Sequence, residues 1–454
     1  MQRRDLGCPR RRQPLRQLLF HLGDNAALAV TLRWSRPQQP PRAPRALQHL
    51  GRPPRNGAHR TQHEVADPKP RFLFVQQAVV EQVLQARATE LGVDLRRGCE
   101  LKDMIIEADA VALRVRTPAG EPTLRARYVV GTDGAHSLVR RLAGIDFPGE
   151  PPANILRLGD VQFDGDVAVG SDGVRIDGMP APFRFAFPLG NGYFRVVTRE
   201  PIPAGFDRSQ PLTLAELSAS VERVFGLTPR FKEARWLSIF TDASRQAAEY
   251  RKGRVLLAGD AAHVHLPAGG PGLSTGLCDA SNLGWKLARV VRGADERLLD
   301  TYHAERHLAG ARVITHTRAQ SALMTASANT AALRAVLAEV FAEPGALRII
   351  TDMLQGTDTR YEPSDANPAD AVGRFTRTLT AKTEAGDRPL SALLRLPRGL
   401  LLDATGDLLR YADPPGIDII PVKEGPSKLV RPDGFVAWEG DRAQLATAIR
   451  RWFA

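Results

Sequence analysis

The most informative pattern of apolar and polar positions lies between residues 254 and 291. Residues 254–258 form a short, nearly all-apolar run that stops at Gly259-Asp260, which predicts a strand buried on both faces and ending abruptly. Pro267-Ala-Gly-Gly-Pro-Gly272 suits neither helix nor ladder and predicts a bend. From there Leu273, Leu277, Ala280, Leu283, Leu287 and Val291 recur at helical spacing, so the bend delivers a helix amino terminus, with Ser274 or Thr275 as its cap. A second apolar run, 128–130, ends at Asp133-Gly134 and leads into a helical turn with Ser137 as cap.

The rest of the chain fills in around these two stretches. A short strand at 72–75 precedes a helix opening at Gln77, with Val80, Val83, Leu84 and Leu91 on one face. Strands at 93–97, 104–107, 111–117 and 123–130 suggest a small antiparallel element. Strand runs at 157–163, 174–176, 183–189, 193–198 and 235–240, with a hairpin around Gly190-Asn191-Gly192, predict a sheet inserted between two halves of another domain. Its alternating Phe183, Phe185 and Phe187 suit either an aromatic pocket or plain core. Helices follow from 298 to about 356. Strands at 399–403 and 417–422, a hairpin around Pro432-Asp433-Gly434 and a terminal helix at 445–452 close the chain.

Charge changes the picture at one place only. The net charge of +12 invites a nucleic-acid reading, but residues 1–62 hold thirteen Arg and no Lys against Asp5 and Asp24, which accounts for nearly all of it. A folded basic patch would be spread over core elements, so no nucleic-acid partner is expected. That Arg/Pro-rich segment has no sustained period and is expected to be irregular. No apolar run reaches the roughly 18 residues that span a bilayer, so no membrane partner is expected. Three separated cysteines, Cys8, Cys99 and Cys278, fit a reducing cytoplasm. His303 and His307, one turn apart, lack a third ligand and read as a solvated face; no metal site is expected.

Candidate chemistry gathers at the two glycine-aspartate turns. A carboxylate at the carboxyl end of a buried strand sits where open α/β sheets hold ligands, and Asp260 suits the hydroxyls of a sugar-like chain. The free amides and positive dipole end of the following helix favour an anion.

Gly259-Asp260-Ala-Ala-His263, Pro267, Gly269, Gly272 and Asp279-Ala-x-Asn-Leu-x-Trp-Lys-Leu-Ala288 resemble the second flavin motif of FAD-dependent aromatic hydroxylases, the para-hydroxybenzoate and polyketide ring hydroxylase group. Pro271 and Ser274 depart from the residues usual there. Asp133-Gly134 resembles the family's Asp-Gly motif, and Gln77 the Gln that reaches the FAD. The resemblance implies an α/β fold: a Rossmann-like FAD-binding domain at 63–150 and 251–356, incomplete at its amino terminus, an inserted β-sheet substrate domain at 151–250, and a thioredoxin-like domain at 357–454 that lacks cysteine. It implies FAD contacts at Gln77, Asp133, Gly134, Gly259, Asp260, Pro267, Gly269, Gly272, Leu273 and Ser274, with Arg140 or Arg141 guiding NADPH. The implied activity is NADPH-dependent, O2-using hydroxylation of a small aromatic or polyketide-like substrate through a flavin C4a-hydroperoxide, with no protein nucleophile and with a homodimer as the candidate assembly. The phosphate-binding Gly-x-Gly-x-x-Gly of the family does not occur in residues 1–62, so a catalytically impaired homologue lacking the ADP half of the site stays open as the alternative.

Overall fold

The computed structural model describes residues 75, 77–170, 173–176, 186–207, 210–325, 327–361, 371–376, 380–384, 386–394, 397–408, 416–440 and 442–453. The arm at 1–62, the strand expected from Phe72, and Phe183 and Phe185 lie outside them. Phe187 is within them and is exposed.

The opening helix, Gln77–Glu90, forms as its period predicts but buries no residue, and Val83, Leu84 and Leu91 are exposed. Helical spacing aligns apolar residues on a face; burial needs an opposing surface, and no described element supplies it. Residues 93–97 are not a strand. Arg96 Nε donates to Asp94 at 2.8 Å and Arg97 Nη2 to Gln85 at 2.6 Å, so local polar bonds hold an irregular connection. Strands Glu100–Ile106, Val111–Arg116 and Thr123–Ala126 then make an antiparallel sheet in chain order. Its inward positions Leu101, Met104, Val111, Leu113 and Val115 join the main core.

The inserted sheet runs Phe231–Thr241, Asn154–Phe163, Tyr193–Pro201, Ala186–Gly190, all antiparallel. The hairpin at 190–193 closes with Asn191 at φ 53, the left-handed conformation that Asn tolerates. Helix Leu214–Phe225, capped by Thr213 and ended by Gly226, lays Leu217 and Val221 across this sheet. Gly159 leaves room for it, since a Cβ there would overlap Leu217.

The strand that organises the molecule is Val255–Leu257, fully buried between antiparallel Arg251–Lys252 and parallel Val129–Gly131. The central helix Pro271–Val291 and the long helix Asp300–Leu323 cover it, and the Tyr302 hydroxyl donates to Leu257 O at 2.6 Å. Helices Ala328–Ala342 and Pro344–Gln355 follow. The last sheet orders Ile417–Pro421, Gly399–Asp403, Lys428–Val430, Val436–Glu439, and helix Arg442–Phe453 closes it. One core runs unbroken from Val129 and Leu257 through Trp285 to Trp438, Trp452 and Phe453. No helix of the described residues is long and apolar enough to cross a membrane.

Candidate flavin site

Two parallel strands in register, Val129 beside Val255 and Gly131 beside Leu257, end at the same edge. Adjacent strands lie about 4.8 Å apart, so the turns that leave them are neighbours. The Ala258 amide donates to Gly131 O at 3.0 Å and extends the pairing to the turn. Asp133 and Asp260, which lie 127 positions apart in the chain, therefore emerge side by side.

Their carboxylates do different work. Asp133 is buried and accepts from Ser137 Oγ at 2.5 Å, Leu138 N at 2.7 Å and Val139 N at 3.1 Å, which satisfies the start of helix Leu138–Leu142. Gly134 follows at φ +79, where a side chain would be strained. Asp260 is exposed on a single 3-10 turn, Gly259–Ala261, and accepts no hydrogen bond among the described residues. Arg140, expected to guide a dinucleotide, is instead buried. Its guanidinium donates to Ala261 O at 2.8 Å and Ala135 O at 2.9 Å and stacks on Phe147 at 3.6 Å, so it rivets one turn to the other. Arg141 remains exposed.

The central helix begins earlier than its apolar spacing suggests. Gly270 at φ +70 is its cap and Pro271 its first residue; no side chain caps it, and Thr275, buried, donates to Pro271 O at 2.9 Å. Ser274 is exposed and lies inside the first turn. The amides of Gly272 and Leu273 thus lack intrahelical partners and carry the positive end of the dipole, while the Ser274 amide makes the first bond of the helix to the Gly270 carbonyl. Pro267 and Gly269 are exposed on the bend before them. Gly259 and Gly276 let turn and helix touch backbone to backbone: a Cβ on Gly276 would lie 3.4 Å from Gly259 Cα. Gln77 is exposed at the head of the opening helix, where its Nε2 donates to Glu81 at 2.8 Å.

The face of the central helix that is buried is not the one its leucines mark. Leu273, Leu277 and Val291 are exposed, whereas Thr275, Asp279, Asn282 and Lys286 are buried beside Leu283 and Trp285. Charges this deep must be paired. Asp279 accepts from Arg306 Nε at 2.7 Å on one oxygen, and from His263 Nε2 at 2.7 Å and the Gly259 amide at 2.9 Å on the other. Burial works to raise its carboxyl, but the His263 bond and the Arg306 charge prevail and hold it below the usual range. Arg306 also reaches Thr275 O at 3.3 Å and the Tyr361 hydroxyl at 3.1 Å. This cluster fixes the Asp260 turn against the first turns of the helix.

Three turns on, Lys286 Nζ donates to Glu305 at 2.7 Å and Asn282 at 2.8 Å, and Arg431 from the last sheet pairs with both Glu305, at 2.5 Å, and Asp433, at 2.5 Å. Burial works against the Glu305 anion, yet Arg431 and Lys286 hold its carboxyl down to about 2; burial lowers Lys286 to about 8. Sequence reasoning quoted Asp279 in the flavin motif without giving it a role, and gave none to Glu305 and Arg306. The His-Ala-Glu-Arg-His stretch, read as a solvated face, holds two of them, and its histidines are half-buried against Tyr250, with His303 Nδ1 accepting from the Tyr250 amide at 3.2 Å. The available signal was charge recurring inside an otherwise apolar helix.

Residues 27–317 match the FAD binding domain family and residues 369–454 the aromatic-ring hydroxylase C-terminal family. The chain belongs to the FAD-dependent aromatic-ring hydroxylases. This hydroxylase is similar to the 12-dehydrotetracycline 5-monooxygenase/anhydrotetracycline 6-monooxygenase of Streptomyces rimosus subsp. rimosus, with 37% identity over 412 residues covering 85% of this chain and 81% of the relative. It is 40% identical to the rifampicin monooxygenase of Streptomyces venezuelae over 391 residues, 84% of this chain and 79% of that one. Among solved structures, the OxyS anhydrotetracycline hydroxylase from Streptomyces rimosus superimposes with a TM-score of 0.75 at 36% identity, covering 84% of this chain and 80% of the other. The hydroxylase is thus an FAD-dependent monooxygenase of mixed helix and strand architecture.

Proposed function

We propose that the hydroxylase uses NADPH and O2 to place a hydroxyl group on a polycyclic, phenol-bearing aromatic substrate of the polyketide type. The observation that carries this reading is the parallel strand pair, which sets the exposed Asp260 carboxylate beside a helix amino terminus that no side chain caps. The residues present fit the ring and ribityl part of FAD: an acceptor with no hydrogen-bond partner among the described residues, two open amides and a glycine contact that leaves the backbone bare. Asp260 would hold a ribityl hydroxyl, and Gly272 and Leu273 would present amides to the negative N1/C2 edge of the reduced ring, with the exposed Ser274 side chain beside them. Gly259, Pro267 and Gly269 would shape the approach, and Gln77 would reach the FAD from the head of the opening helix. Asp133 and Gly134 act through the loop they hold in place, near the pyrophosphate. When bound, FAD supplies hydride acceptance from NADPH and activation of O2, so the protein needs no nucleophile; it orients the ring and excludes water.

The domain boundaries given above, the thioredoxin-like character of 357–454, a homodimer and a cytoplasmic setting belong to the same proposal. The impaired-homologue alternative is not favoured, since relatives 37% and 40% identical to the chain carry monooxygenase names. The test is NADPH consumption by the FAD-loaded protein with and without polycyclic phenols, with product mass read in parallel. Faster consumption and a gain of one oxygen atom are expected. Protein that retains no flavin, or that consumes NADPH without ever oxygenating a phenol, would contradict the proposal.

A further inference from the structure

Where the long helix, the glycine bend and the inserted sheet meet, polar atoms are buried without hydrogen-bond partners among the described residues. His316 is 2% exposed, and neither ring nitrogen has a hydrogen-bond partner among the described residues. One turn on, Gln320 Nε2 is buried in the same condition. Leaving such groups buried and unpaired is costly, so their retention calls for a partner that the described residues do not supply. Residues four apart share a helix face, and this one faces the bend: a Cβ on Gly269 would lie 3.7 Å from Gln320 Oε1 and 3.8 Å from its Nε2. The sheet is seated at the same spot, because Arg199 donates to Ser321 Oγ at 3.0 Å and to Ser321 O at 3.3 Å while its own Nε stays unpartnered.

We infer that His316 and Gln320 form the recognition pair for a hydroxyl, or an adjacent hydroxyl and carbonyl, on the substrate ring. This rests on the aromatic substrate proposed above and names which of its groups the site reads. Burial, aided by His265, pushes the His316 imidazole below its usual range, so at neutral pH one nitrogen donates and the other accepts. With the Gln320 amide as a second donor, the pair complements a group that both gives and takes a hydrogen bond. A phenol does so; a bare ring does not. The large open cleft of about 660 Å3 on the sheet is a poorer candidate, because its Arg157 and Arg223 are already paired with Glu200 and Glu216.

The test is direct binding to the full-length protein of two probes, 1,8-dihydroxyanthraquinone and unsubstituted anthraquinone, read by tryptophan fluorescence and, with FAD loaded, by the flavin spectrum. The hydroxylated probe should bind at least tenfold more tightly to the wild type. His316→Phe and Gln320→Leu should each erase most of that preference, leave anthraquinone affinity within about twofold and leave the flavin spectrum unaltered, and His316→Asn should restore part of the preference. Equal binding of both probes by the wild type, or equal loss of affinity for both in the variants, would overturn the assignment. Loss of flavin with the probe preference intact would instead count against the cofactor reading alone, since the fluorescence readout does not depend on FAD.

Discussion

Two helices of this chain invert the usual relation between pattern and burial. The opening helix carries apolar residues on one side and buries none of them, while the central helix buries Asp279 and Lys286 and leaves Leu273 and Leu277 exposed. Spacing alone does not separate the two. What separates them is whether opposing elements bring matching groups: Arg306 and Glu305 from the long helix, His263 from the turn and Arg431 from the last sheet convert the polar face of the central helix into its anchored one.

The comparison breaks most severely if Asp279 is stripped of its partner. Arg306→Met should cost about 3–5 kcal/mol, since it strands a buried carboxylate, and urea unfolding should register it together with loss of bound flavin. Wild-type behaviour would mean that the cluster does not hold the helix.

Acid should attack the second cluster. The Glu305 carboxyl is held at about 2 against an unfolded value of 4.5, so its contribution is complete above pH 4.5 and is lost as pH falls toward 2. That loss is roughly 3 kcal/mol. The midpoint of thermal unfolding should therefore fall more steeply below pH 4.5 in the wild type than in Glu305→Gln; parallel curves would refute the pairing.

A smaller effect is expected where the long helix lies flush on Tyr250. A Cβ on Gly310 would meet the Tyr250 hydroxyl and come within 2.9 Å of Gln246 Nε2, so Gly310→Ala should cost about 1–3 kcal/mol by overpacking, measured by denaturant midpoint. On the opening helix, by contrast, Leu84→Ser should change stability by less than about 0.5 kcal/mol; a large loss there would mean that this face is covered in solution.

How much of this was readable from the sequence follows the same division. The strand ending at Gly259, the bend, the hairpin at Asn191 and the Ser137 cap are local, and residue type and spacing announce them. The meeting of Asp133 and Asp260 was readable as well, because two apolar strands each ending in an aspartate turn imply a shared edge. Pairings between distant elements left no local mark. Arg140 was a candidate guide for NADPH until its carbonyl partner at Ala261 was in view, and Ser274 looked like a cap until Gly270 and Pro271 started the helix four residues earlier. Glycine at positive φ serves as a cap through its backbone, which side-chain chemistry does not signal.

The central claim is that the Asp260 carboxylate, which accepts no hydrogen bond among the described residues, is kept for the cofactor. Titrating FAD into flavin-stripped wild type and Asp260→Asn, with flavin fluorescence as the readout, addresses it most directly. About tenfold weaker binding at an unchanged unfolding temperature is the predicted result; equal affinity in the two proteins would contradict the account.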